Sequence, residues 1–367
     1  MRKGFTLLGV LLLVSSIGNA QDPSFSQFYA NRIYLNPAFT GIEPGISLAG
    51  VSRMQWLNVD YGFRTYCVSV EFQEPFIKSG FGLNLLSDTE GLAQLKTTSV
   101  GLSYAYTIPM ESHNIHFGFE VDWIQKSVDW SKIIFSDQLD PVYGAIYQTT
   151  AVPLLDRVNY TDFQAGVIWR FNSNLKVGKR KYRDVLSSIG LSVHHLPSLI
   201  SSTGGAESFQ NLETQSAPRL TFHAGTVIPM VVFGGTKKEI AVSPNIKVDL
   251  QGDHLFQFSN NLQVYTYGLY VVYDAFYVGA LYQNKNIISS YKNTDSWILA
   301  LGAKFNTGKE SNFFVGLSYD TNTTGVGAKA GGVYEIAFRW NGTDFGGLFG
   351  GKRKNRKKKY LKCFSFF

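Results

Sequence analysis

No apolar run in this sequence approaches the roughly 20 residues that a membrane-spanning helix needs. After Val14, apolar residues occur only in short alternating stretches, so a helical membrane protein is excluded. Cysteine is almost absent. Cys67 and Cys363 are the only two, far apart and in dissimilar contexts, so no disulfide framework is expected and the pair is read as unbridged. Catalytic signatures are missing as well. No Gly-x-Ser-x-Gly nucleophile pattern occurs. Gly80-Phe81-Gly82 falls within a strand pattern and Gly325-Val326-Gly327 within a connection, so neither opens a helix as a phosphate loop must. His113 and His116 would not share a face on a strand, and His194 and His195 should point to opposite faces. Glu120 and Asp122 do share a face, and are read as solvated wall charges. The expectation is a protein that is not an enzyme and has no metal or cofactor.

Acidic and basic residues are also scarce, at 17% of the chain, and the net charge of +7 is unevenly placed. Eight basic residues (Lys352, Arg353, Lys354, Arg356, Lys357, Lys358, Lys359 and Lys362) crowd one terminal stretch with no acid among them. Removing those eight together with Arg2 and Lys3 from the 34 Lys and Arg leaves 24 against 27 acids. The body is slightly acidic, and nucleic acid is not an expected partner.

What is present begins with an export signal. Arg2 and Lys3 precede the apolar run Phe5 to Val14, and Gly18-Asn19-Ala20 places small residues where a signal peptidase reads. Residues 1–20 are therefore expected to be a cleaved leader. No Cys lies just after the expected cleavage point, so a lipid anchor attached there is not expected.

Period-2 alternation dominates the rest, placing successive side chains on opposite faces of a strand. Tyr66, Val68, Val70 and Phe72 alternate with Cys67, Ser69, Glu71 and Gln73. Ile115, Phe117, Phe119, Val121 and Trp123 alternate with His116, Gly118, Glu120 and Asp122. Tyr334, Ile336, Phe338 and Trp340 alternate with Glu335, Ala337 and Arg339. Large aromatics opposite acids and bases fit a lipid-facing exterior around a polar lumen. About fourteen such segments are expected, from 45–58 and 63–73 through 161–172, 185–196 and 254–271 to 332–340. The fold class is all-β, a transmembrane antiparallel β-barrel with an even strand number.

With both termini periplasmic, the long connections 127–160, 197–217, 284–294 and 321–331 fall outside the cell, and the inner turns are short, apart from a long basic one at 172–184. An arginine at Val70, on the lipid face, should harm assembly more than one at Ser69, on the lumen face. The organisation read from this is a leader at 1–20, a periplasmic lead-in or plug at 21–44, a barrel at 45–341 and a basic periplasmic tail at 342–367.

The opening of the mature chain, Gln21-Asp22-Pro23-Ser24-Phe25-Ser26-Gln27-Phe28-Tyr29, is followed by Tyr34-Leu35-Asn36-Pro37-Ala38-Phe39-Thr40-Gly41. Further on come Arg53-Met54-Gln55-Trp56, Asp88-Thr89-Glu90-Gly91 and Gly316-Leu317-Ser318-Tyr319-Asp320. Together these resemble the PorP/SprF family of Bacteroidota over nearly the whole mature chain. The resemblance implies an outer-membrane component of the type IX secretion and gliding-motility machinery. Its implied partners are outer-membrane lipid, periplasmic and outer-membrane components of that machinery, and a secreted cargo protein with a C-terminal secretion domain. The polar lumen pattern taken alone also admits a passive channel or small-solute transporter.

Two segments are candidate sites. In the opening segment, Phe25, Asn36, Pro37 and Gly41 stand out: Asn36-Pro37 sets a turn, and Gly41 permits a backbone geometry closed to other residues. The basic tail Lys352 to Lys362 is either a solvated arm or a contact with anionic phospholipid or an acidic periplasmic partner.

Overall fold

In the computed structural model the described residues are 22–342, apart from 151–154, 178–180, 201–208, 210–215, 233–238, 253–261, 287–294, 307–310 and 324–328. The expected leader at 1–20 lies outside them, as does the expected tail beyond Gly342.

The strands are β1 Ile46–Gln55, β2 Phe63–Glu74, β3 Ser79–Glu90, β4 Leu95–Pro109, β5 His113–Ser127, β6 Leu139–Asp140, β7 Gly144–Ala145, β8 Arg157–Val177, β9 Lys181–His194, β10 Arg219–Val232, β11 Glu239–Gln251, β12 Leu262–Tyr273, β13 Phe276–Asn286, β14 Ser296–Asn306, β15 Asn312–Asn322 and β16 Val333–Asn341. All but the β6–β7 hairpin join one closed antiparallel barrel in which each strand pairs with its neighbours in sequence. The seam is β1 against β16, with Leu48 opposite Trp340 and Arg53 opposite Glu335. Closure leaves no unpaired edge, which is the condition for a sheet to sit in lipid.

Alternation sets the two faces. On β2, Tyr66, Val68 and Val70 are exposed while Cys67, Ser69 and Glu71 are buried. On β5, Phe117, Phe119 and Trp123 are exposed while His116, Glu120 and Asp122 are buried. This inverts the pattern of a soluble protein, as a barrel with apolar residues turned to lipid requires. Exposed aromatics sit toward both rims, Tyr66, Trp123, Trp297 and Tyr334 at one and Tyr104, Trp169, Tyr273 and Trp340 at the other, the positions of interfacial girdles.

The connections sort by length. Residues 75–78, 110–112 and 274–275 link strands at one rim, with Asp274 at φ 55° in its two-residue turn, a backbone region that short polar side chains tolerate. The long connections, including 128–156 and 195–218, gather at the other rim, the outer one in barrels of this type.

Four expectations need correction. The long basic turn at 172–184 does not exist, because β8 continues to Val177 and β9 begins at Lys181; ladder hydrogen bonds carry both strands past the point where their side chains cease to be apolar. The segment expected at 254–271 is β12, Leu262–Tyr273, with 253–261 outside the described residues. The wall carboxylates are not solvated: Glu120 is 0% and Asp122 2% exposed. Ser69 is likewise enclosed, so the room that would have made an arginine there the milder change is absent. Something fills the lumen.

Candidate functional site

The filling is residues 22–45, which run through the barrel from the outer rim to the inner one. Asp22 lies at the outer rim, its amide donating to Gln251 Oε1 at the end of β11 (3.4 Å). Gly41 lies at the inner rim, its amide donating to Glu71 Oε2 (2.9 Å). Phe25, Phe28, Tyr29, Leu35, Phe39 and Ile42 from this segment pack with Val51, Leu86, Ile168, Tyr270, Leu281 and Ile298 of the wall into one buried cluster. The apolar core of the molecule therefore sits inside the barrel, between segment and wall. Local geometry is set by a one-turn helix, Arg32–Leu35, capped by Asn31, and a 3₁₀ turn, Pro37–Phe39.

Polar contacts pin the segment at three levels. At the outer rim, the Asp22 carboxylate meets Arg219 Nη1 (2.8 Å) and His195 Nε2 (2.9 Å), and His195 Nδ1 lies 2.8 Å from Asp162 on β8. His195 thus bridges two acids. Burial opposes its charge, yet the Asp22 and Asp162 carboxylates overcome this and push its pKa up to about 10. Burial would raise the Asp22 carboxyl, but the charges of His195 and Arg219 hold it well below the usual range.

A step inward, Glu335 accepts hydrogen bonds from the amides of Ser26 (2.9 Å) and Gln27 (2.8 Å). Arg53 Nη1 lies 3.3 Å from both Glu335 and Asp320 and also donates to Ser26 Oγ. Near mid-barrel, Asn31 Nδ2 donates to Cys67 Sγ (2.7 Å), and Arg339 Nη2 donates to the Ala30 carbonyl (2.9 Å).

The four sequence-marked residues occupy definite places. Phe25 is buried edge-on to Tyr34, with ring centroids 5.2 Å apart. Asn36 is fully buried. Its Oδ1 accepts from the Ala38 amide, capping the turn that starts at Pro37, and its Nδ2 lies within reach of the carbonyls of Val167 (3.3 Å) and Leu191 (3.1 Å) and of His223 Nε2 (3.2 Å). Gly41 has φ 64° and rests against Gly80 and the Phe72 backbone. The wall yields space for this approach: a Cβ on Gly118 would overlap the backbone of Pro37 and Ala38. The eight basic residues of the tail lie outside the described residues.

Sequence reasoning placed His194 and His195 on opposite faces. Both are buried in the lumen, because His195 takes a left-handed φ of 59° just past β9 and breaks the alternation. The outer anchor was invisible for the same reason. Its acids and bases come from segments scattered over more than a hundred residues, and none shows a local spacing.

A second feature stands on the outer side. The described part of the connection 128–156 contains two short 3₁₀ turns and the β6–β7 hairpin, in which Asp140 accepts from the amides of Val142 (2.8 Å) and Tyr143 (3.0 Å). These bonds hold the Asp140 carboxyl below its ordinary value. They also fix a tip on which Val142, Tyr143, Ile146 and Tyr147 are all more than half exposed.

The His195 shift sets a pH dependence. A protonated His195 contributes its full stabilisation below the unfolded value of 6.5, and that contribution declines as pH rises toward about 10. Thermal stability of the barrel in detergent should therefore fall steadily from pH 6.5 to pH 10, and His195→Gln should lower the plateau and flatten the slope. A wild-type slope retained by the variant would assign the effect elsewhere.

A family model described as "Type IX secretion system membrane protein PorP/SprF" matches residues 17–340. No curated protein matches the sequence. Among solved structures, CdiB from Acinetobacter baumannii aligns with a TM-score of 0.40 and 10% identity, over 80% of this chain and 59% of that one; this chain thus spans 59% of CdiB's length. The CymD monoaromatic hydrocarbon channel aligns with a TM-score of 0.38 and 11% identity over 88% and 93% of the two chains. Acinetobacter baumannii Omp33 aligns with a TM-score of 0.36 and 10% identity over 82% and 98%.

Proposed function

This chain belongs to the PorP/SprF family of type IX secretion system membrane proteins, and from that premise we propose that it is a non-enzymatic frame that holds particular cargo proteins at the outer surface during export or attachment. The observation that carries this reading is the filled lumen. A barrel whose axis is occupied by its own residues 22–45, with Asn36 and Ala38 at 0% exposure, offers partners its two rims rather than a conduit. An open solute channel fits this packing poorly, since solute would have to displace the apolar core.

On this reading the cargo, a protein with a C-terminal secretion domain, meets the outer connections, and the periplasmic machinery meets the inner rim and the tail. The signal peptide at 1–20 is cleaved on export. The decisive experiment is affinity purification of the tagged barrel from native outer membranes, followed by identification of what accompanies it. A secreted surface protein together with periplasmic components supports the proposal, and a barrel recovered alone under conditions that keep the machinery intact overturns it.

The exposed tip gives a sharper version. Tyr143→Ser combined with Ile146→Ser should lower cargo recovery by roughly tenfold or more, since buried interface anchors contribute about 2 kcal/mol or more each, and barrel yield should not change. Neutralising the eight basic residues from Lys352 to Lys362 is expected to spare insertion and to reduce recovery of the periplasmic partner in a salt-sensitive way. Unchanged recovery would leave the tail as a solvated arm.

A further inference from the structure

The outward face of the barrel carries a basic stripe along one arc of its outer rim. Cross-strand register makes Met54 of β1, Arg64 of β2, Thr89 of β3, Lys96 of β4, Ser127 of β5 and Arg157 of β8 successive neighbours. Arg64, Lys96 and Arg157 are exposed, and none has an ion-pair partner among the described residues. We infer that this stripe binds the headgroup of a phosphorylated saccharolipid of the outer leaflet, of the lipid A kind, an assignment that rests on outer-membrane placement of the barrel and not on its cargo.

Alternation puts the three cations on the lipid side of the wall. Arg64 shares its face of β2 with the exposed Tyr66, Val68 and Val70, and Lys96 shares its face of β4 with the exposed Leu102, Tyr104 and Tyr106. The next outward row toward the midplane, Tyr66, Ser87, Thr98, Gln125 and Asn159, is polar again, and Gln125 Nε2 donates to Asn159 Oδ1 (2.8 Å). One row deeper, Val68, Leu85, Val100 and Trp123 begin the apolar band. Neither polar row contains an acid. Cations, hydroxyls and carboxamides therefore stand directly above lipid-facing surface, where Tyr66 and Trp123 mark the headgroup level. The charge is confined to this arc: the outward rim positions described on β12 to β16, among them Gln263, Asn284, Trp297, Thr321 and Tyr334, hold no cation.

The spacing and slope of the stripe select the ligand. The cations stand on alternate strands, and neighbouring strands lie roughly 4.8 Å apart, so the backbone positions are about 10 Å from one to the next. A row of cross-strand neighbours runs perpendicular to strands that themselves tilt by roughly 35–45°, so the stripe climbs obliquely. It climbs toward β8, because β2 runs only from Arg64 to Glu74 before its inner turn whereas β8 runs from Arg157 to Val177. Arg64 is at the headgroup level and Arg157 stands above it. A glycerophospholipid with one phosphate at one depth would engage a single cation. A phosphorylated sugar headgroup sets several anionic groups apart, along and above the interface, and its hydroxyls match Thr89, Ser127, Gln125 and Asn159. Arginine and lysine pair with phosphate through charge-assisted hydrogen bonds. An acidic protein would instead have to reach the flank of the barrel, over residues continuous with its lipid-facing band.

The test is native mass spectrometry of the full-length barrel in detergent, titrated with diphosphoryl lipid A, monophosphoryl lipid A and phosphatidylglycerol. Diphosphoryl lipid A is expected to bind most tightly, with the monophosphoryl form at least about fivefold weaker, the factor that one cation near an anionic surface supplies. Phosphatidylglycerol should be weaker still. Arg64→Gln combined with Lys96→Gln and Arg157→Gln should weaken diphosphoryl lipid A by about a hundredfold. Lys329→Gln, at an exposed cation outside the stripe, should leave it unchanged. Heat-modifiable mobility checks that each variant is folded, and if the triple variant is not, Lys96→Gln alone is read in its place, with a loss of about fivefold. Equal binding of diphosphoryl lipid A and phosphatidylglycerol, an equal loss in Lys329→Gln, or wild-type affinity in the stripe variant overturns the assignment. A stripe variant that keeps its lipid A but loses an accompanying protein on affinity purification gives the cations to an acidic partner, and overturns it as well.

Discussion

Deleting residues 22–42, with residues 1–21 kept, is expected to convert an electrically silent barrel into a conducting one. The wild-type lumen is closed by packing rather than by a narrow ring of residues. Phe25, Phe28, Tyr29, Leu35, Phe39 and Ile42 are all buried against the wall, and each large apolar side chain so buried contributes on the order of 1.5–3 kcal/mol. Once the segment is gone, the inward-facing Ser69, Glu71, Glu120, Asp122, Asp320 and Glu335 would face one another across an empty polar bore that water would enter. The strand ladders survive, since every barrel pairing is between wall strands. Planar-bilayer recording of both proteins should show no steps for wild type and stable open-channel steps for the deletion, with lower thermal stability of the latter. Equal conductance would mean that the segment does not seal the barrel, and the case for a frame rather than a channel would fall with it.

Arg53→Ala is the second change with a large expected effect. It strips the cation from beside Asp320 and Glu335, both buried, and removing one partner of a buried ion pair costs roughly 3–5 kcal/mol. Because Glu335 also holds the amides of Ser26 and Gln27, the cost falls on the docked state of the segment. Cys67 is the reporter. It is fully buried and accepts a hydrogen bond from Asn31, so a maleimide reaches it only when the segment leaves. In a Cys363→Ser background, labelling of Arg53→Ala should be faster by about two orders of magnitude or more, the factor that 3 kcal/mol implies for a local opening. Adding Glu335→Gln should restore part of the protection by removing one uncompensated charge. Arg64→Ala, at an exposed arginine on β2, is the control and should label at the wild-type rate. Unchanged labelling of Arg53→Ala would show that the ion cluster does not hold the segment.

The wall was legible from the sequence because its rule is local. Alternation in Tyr66 to Gln73 or Ile115 to Trp123 assigns each side chain to a face without knowledge of any distant residue, and the fourteen barrel strands overlap the segments that alternation marks, with β8 running past its expected end, β9 beginning earlier and β12 beginning later. The interior was legible only in part. Asn36, Pro37 and Gly41 stand out as turn-forming types, but the partners of Asn36 are Val167, Leu191 and His223, more than 130 residues away. Phe25, Phe28, Tyr29 and Phe39 follow no strand or helix period, since they belong to irregular backbone whose shape is imposed by the cavity it fills. Polar residues facing inward were read as wet because barrel alternation separates lipid from non-lipid and says nothing about what occupies the second side.

The route of residues 22–45 bears on how the cylinder comes to be shut. The chain's first strand and its last must find each other across about 300 intervening residues, and bringing such distant points together costs about 5 kcal/mol in chain entropy. Docked early, the N-terminal segment would shorten that search. It is tethered directly to β1, and it presents the amides of Ser26 and Gln27 to Glu335 and the carbonyl of Ala30 to Arg339, all on β16. The arriving strand would then meet a mandrel already fastened to its eventual neighbour. The same residues that cork the finished cylinder would serve as the template on which its two ends are joined.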